Sequence, residues 1–135
     1  MPIRNSTRAA ILFVAGALIL LAAIAQGMIF VPHVREDMLE IGMRPTLFRA
    51  ISLVLYFSVV AMFAFAALVL TGALSLMKGQ VPSIAPLLVV AAIYLIFGLG
   101  AFFRVAHDVH FLGYAMIGLL VAMGVPRRVR TELPL

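Results

Sequence analysis

Cysteine is absent from this 135-residue chain, and charge is scarce: 11% of the residues are Asp, Glu, Lys or Arg, five of them acidic. Without a thiol there is no disulfide framework, no thiol redox enzyme, no iron–sulfur cluster and no thiolate zinc site. No repeat and no excess of one charge is present to suggest collagen or disorder. What fills the chain instead is apolar: 65% of it comes from Ala, Val, Ile, Leu, Met, Phe, Tyr and their kin, where soluble domains sit near about 45–50%. Lipid or other apolar protein has to solvate that excess.

A bilayer core about 30 Å thick takes roughly 20 apolar residues of helix to cross. Four uncharged runs approach that length: Ala9 to Val31 (23 residues), Ala50 to Met77 (28), Ile84 to Phe103 (20) and Phe111 to Val125 (15). The last is short, so it either thins the membrane or extends backward through His110, Val109 and Asp108 to His107. The first run has a rival reading. Arg4 and Arg8 precede it and Ala23-Ile24-Ala25 fits a signal-peptidase site, but the run continues apolar past that point to Val31, which favours a retained anchor.

Basic residues set the orientation. With both termini in the cytoplasm, Arg4, Arg8, Lys78, Arg127, Arg128 and Arg130 lie inside and Arg35, Arg44, Arg49 and Arg104 outside, six against four. The outer basic residues are balanced by Glu36, Asp37, Glu40 and Asp108, so the net charge of +5 lies on the inner side. The basic balance therefore reads as topology and as contact with anionic lipid by Arg127, Arg128 and Arg130, not as nucleic-acid binding, because no basic patch is interleaved with stacking aromatics.

Only one connection is sizeable, Pro32 to Arg49. Val34, Met38 and Ile41 recur at helical spacing and predict a short interfacial helix over about 34–42, apolar side on the membrane, with His33, Glu36, Asp37 and Glu40 opposite. Gly42 is placed to close it and Arg44-Pro45-Thr46 to launch the next span. The turn Lys78 to Ser83 is short, making spans two and three antiparallel neighbours, with Ser83 as N-cap and Pro86 in the first turn. The third connection lies at Phe102 to Asp108 with Asp108 as N-cap, or earlier at Gly98-Leu99-Gly100. Small residues four apart (Ala23 and Gly27; Ala67, Thr71 and Ser75; Gly118 and Ala122) permit close helix approach in lipid. The fold class is all-α: a four-helix transmembrane bundle in one membrane domain over 1–135, with helices near 9–31, 47–77, 83–103 and 107–125.

No ionisable residue stands at a midplane position, where transporters and pumps usually keep one. Small multidrug-resistance transporters are four-helix proteins of similar size, but they carry a glutamate in the first helix and this first run has none. Gln26, Ser52, Tyr56, Ser58, Thr71, Ser75 and Tyr94 can satisfy themselves on backbone carbonyls or neighbouring helices. On the outer side the three histidines and four of the five acids gather: His33, Glu36, Asp37 and Glu40 in the first loop, and His107, Asp108 and His110 before span four. His107 and His110 at i, i+3 share a face if helical. With His33, Glu36, Glu40 and Asp108 they offer imidazole and carboxylate ligands for Zn²⁺, Fe or Mn, or two imidazoles for a haem b. The plainer account is that these are ordinary interfacial residues, with Arg104 and Asp108 neutralising each other at i, i+4.

Three classes of function follow. The first is an inner-membrane protein that acts through helix contacts, as a homo-oligomer or an accessory subunit. The second is a metal- or haem-binding protein using the outer-face histidines and acids. The third is a small solute or lipid transporter.

Overall fold

The computed structural model describes residues 4–126, so the Arg127, Arg128 and Arg130 cluster lies outside the described residues. Among these the chain is helical and forms no strand. The elements are α1 (Asn5–Ala25), a π-helical turn (Gln26–Phe30), α2 (Val31–Glu40), α3 (Pro45–Met77), α4 (Ile84–Arg104) and α5 (His110–Gly124). Three helices are long and apolar enough to cross a membrane, and α5 is a shorter apolar helix. The chain is accordingly built as a multi-pass membrane protein.

α4 matches its uncharged run to within one residue, whereas α3 starts at Pro45, five residues before Ala50, because proline is suited to a helix start and Arg49 is carried in the early turns. The first helix differs. α1, the π turn and α2 follow one another without a break over Asn5–Glu40, about 54 Å at 1.5 Å per residue. Pro32 is the cause of the π turn. It has no N–H, and its ring would strike the carbonyl four residues back, that of Met28. Widening the helix by one residue, with the Val31 N–H bonded to the Gln26 carbonyl, avoids that collision. The segment expected to form a separate interfacial helix is thus the continuation of α1. It packs on α3, burying Val31 and Met38, while Ile41 stays 74% exposed. Met38 lies against protein because α3, at 33 residues or about 50 Å, is long enough to accompany it.

Gly42 closes its helix as expected, and Gly79 closes α3 in the same way. Gly42 takes φ +66° and Gly79 φ +73°. In each the following N–H reaches five residues back, Met43 to the Met38 carbonyl and Gln80 to that of Ser75, the Schellman pattern. The third turn uses the same wiring without glycine. The His107 N–H bonds the Phe102 carbonyl, and Ala106 and His107 sit at φ +45° and +58°. A side chain in that left-handed region costs about 1–2 kcal/mol per residue. Ala106→Gly is therefore expected to raise stability by about 0.5–1 kcal/mol, once the extra unfolded-state entropy of glycine is subtracted. A higher thermal-unfolding midpoint in the same detergent checks this, and a lower one would contradict the left-handed turn.

That reversal also ends α4 at Arg104 and delays α5 to His110. The backward extension of the fourth span to His107 does not form. α5 has 15 residues, about 22 Å.

The helices pack as two pairs, α1 with α3 and α4 with α5, joined through α1 and α5. α3 and α4 touch only lightly although they follow each other in the chain. The neighbour relation expected from their short connection is thus weak, because α1 lies between α3 and α5 and holds the pairs together. Small residues set the second pair. A Cβ on Gly98 would lie 2.4 Å from the Ala115 nitrogen and 2.8 Å from the Phe111 oxygen, and one on Gly118 2.8 Å from the Ala91 oxygen. Gly118 is thus an interface glycine, but Ala122 faces outward, as do Ala67 and Thr71 on α3. The core joins Leu12 and Ile19 of α1, Val69 of α3, Leu87 and Val90 of α4 and Val121 of α5, each 0–1% exposed.

Candidate functional site

At the end of the bundle formed by the α2–α3 and α4–α5 connections stand the histidines and acids singled out above. They do not assemble. His33 lies on α2, 4.0 Å from Asp37 one turn on, with both side chains largely exposed, and Glu36 and Glu40 are exposed on the same helix. His107 belongs to the left-handed turn and not to α5, so it shares no helix face with His110. Its ring stands edge-on to Phe102 at 5.3 Å and to Phe103 at 6.1 Å, closing the turn as an aromatic side chain does. The turn likewise removes the i, i+4 helical spacing of Arg104 and Asp108. Among the described residues no three histidine, aspartate or glutamate side chains form a group that would hold a metal ion.

Asp108 does what its place before α5 suggests. Its Oδ1 accepts the backbone N–H of His110 at 2.9 Å and meets the His110 Nδ1 at 2.6 Å, while its carbonyl receives the Phe111 N–H. This is an aspartate satisfying the free donors of a helix start. The backbone bond first, and the ring second, hold the Asp108 carboxyl below its ordinary value.

Two arginines read from the sequence only for orientation join helices. Arg35 of α2 donates to the Tyr56 hydroxyl at 2.9 Å and lies over the Phe48 and Tyr56 rings at 5.3 and 5.7 Å, a cation on aromatic faces. The spacing of Phe48 and Tyr56, two turns apart on α3, was the available signal. At the opposite end, buried Arg8 of α1 donates to the carbonyl of Val125, just past α5. An arginine is suited to the free carbonyls and negative pole of a helix C-terminus.

Where α3 and α4 draw apart, a cleft of about 310 Å³ opens along the bundle. Phe57 and Phe65 of α3, Phe97 of α4 and Tyr114 of α5 wall it. Gln26, the first residue of the π turn, reaches it with its amide, donating to Ser58 at 2.7 Å, and Ser58 in turn donates to the Leu55 carbonyl at 2.7 Å. Tyr94 lines it too. That residue is 4% exposed, and its hydroxyl has no hydrogen-bond partner among the described residues. Aromatic contacts run through the region: Phe65 to Tyr94 at 6.1 Å, Tyr94 to Tyr114 at 6.1 Å and Phe97 to Tyr114 at 5.3 Å. Comparison with protein-family models, with curated proteins and with solved structures finds no match to this chain.

Proposed function

We propose that this is a multi-pass protein of the cell inner membrane that works through helix contacts in the bilayer, as a homo-oligomer or as an accessory subunit of a larger membrane complex. The observation that supports it is the bare face of α3. That helix packs on α1 and scarcely on α4, and Val60, Ala64, Ala67 and Thr71 all face outward. The Thr71 hydroxyl is turned onto the Ala67 and Leu68 carbonyls at 2.8 and 2.9 Å, and Ser75 donates to Thr71 at 2.9 Å. The row therefore presents small side chains whose polar groups are already used, a surface on which another helix backbone can approach closely. Both termini are assigned to the cytoplasm, where Arg127, Arg128 and Arg130 meet anionic headgroups; the excess of basic residues on that side supports this orientation.

Because the chain lacks cysteine, Thr71→Cys introduces a single thiol. Oxidation in native membranes is expected to give a covalent dimer with Thr71→Cys and none with Val89→Cys, on the exposed side of α4. In the accessory-subunit case a second membrane protein co-purifies instead and is lost from Thr71→Leu. A monomer that does neither would sink the proposal.

A further inference from the structure

We infer that the cleft between α3, α4 and α5 binds a neutral, planar carbonyl compound dissolved in the bilayer, a molecule of the quinone class. Its volume of about 310 Å³ falls at the lower end of small-molecule sites, about 300–1,000 Å³. It opens beside α3 and α4, so a ligand enters from lipid. Tyr94 stands at the midpoint of α4, a depth that lipid-soluble molecules reach.

The lining defines the chemistry. Among the described residues no charged side chain lines the cleft, which disfavours fatty acids and phospholipid headgroups, because an ion in such surroundings has no counter-charge. The Phe57, Phe65, Phe97 and Tyr114 rings suit a flat ring that stacks or meets them edge-on. Donors then select the functional group. Ser58 is committed, accepting from Gln26 and donating to Leu55, and so it orients the Gln26 amide, which has a second N–H to give. The Tyr94 hydroxyl is buried without a partner, and burying an unbonded hydroxyl is unfavourable. A carbonyl oxygen accepts from both kinds of donor, from the Tyr94 hydroxyl once a small turn of its ring brings it to the cleft surface, whereas an acyl chain satisfies neither. Gln26 is held in this place by α1, whose regular turn it continues with its N–H on the Ala22 carbonyl.

The test is equilibrium dialysis of menadione against phosphatidylcholine nanodiscs that hold the full chain, with empty nanodiscs as the partition blank. Excess retention is expected to saturate near one menadione per protein. 2-Methylnaphthalene, the same ring system without carbonyls, is expected to bind at least tenfold more weakly, and Tyr94→Phe and Gln26→Leu to weaken menadione by about tenfold each. Tyr94→Phe removes a hydroxyl that has no partner, so the empty protein is expected to be as stable as the parent or more so; this separates lost binding from lost folding. Equal retention of both compounds, no retention above the blank, or parental affinity in a folded Tyr94→Phe protein would each overturn the assignment.

Discussion

Gly98→Ala is expected to cost about 3 kcal/mol of stability, the upper part of the range for overpacking a tight contact. The added carbon would fall 2.4 Å from the Ala115 nitrogen and 2.8 Å from the Phe111 oxygen. Both are backbone atoms, so no side chain can rotate away and α4 and α5 must move apart. In lipid this pair has no hydrophobic drive to hold it, and packing supplies the attraction. Moving the helices even 0.5–1 Å apart forfeits about a quarter to a half of each contact well. Gly100→Ala is the control on the same helix, because nothing lies within 4 Å of its position. Thermal unfolding of both variants in one detergent reads the difference. Equal midpoints would mean that α4 and α5 do not meet at Gly98.

Arg8→Ala is expected to lower stability by about 2 kcal/mol, the scale of a hydrogen bond with a charged donor. Arg8 is 7% exposed and ties α1 to the Val125 carbonyl, next to where Gly124 lies close against Leu12. Its loss removes the donor at the end of α5 and the cation at that helix's negative pole. Arg8→Lys keeps the charge but not the planar fork, so it is expected to recover only part of the loss. Because α5 has one strong partner in α4 and a lesser one in α1, the damage should localise. Hydrogen exchange is expected to quicken first in the last turns of α5, and uniform quickening would argue against a cap.

Most of the helix plan was legible in the chain. Uncharged runs located α4 to within one residue and the end of α3 at Met77, since a charge in the bilayer core is too costly to leave unpaired, but they missed the first five residues of α3. Gly42 was legible as a helix end because few other residues accept a positive φ. The same rule misled at the third turn. Ala106 and His107 carry no sign of a left-handed conformation, so His107 was joined to His110 on a helix that starts only at His110. Pro32 read as a boundary between two helices, whereas a π turn absorbs it. The candidate ligand cleft was not legible either. Gln26, Ser58, Tyr94 and Tyr114 come from four separate segments, and spacing within one helix says nothing of where another lies.

Composition and run length alone mark this chain as one of several apolar runs, three of them long enough to cross a membrane and a fourth shorter. The reason is local: each apolar residue is solvated by lipid or it is not, whatever its neighbours in space. Pairing is a different matter. Many stripes in so apolar a chain are equally fit to face a neighbour or lipid, and Ala67 and Gly118 look alike until helices are set side by side. Only the tertiary structure placed Gly98 and Gly118 inside, left Thr71 outside, and let α3 and α4 part around an unpartnered tyrosine hydroxyl. Close contact between backbones in lipid is settled by shape over whole helix faces, and shape exists only once the helices have met.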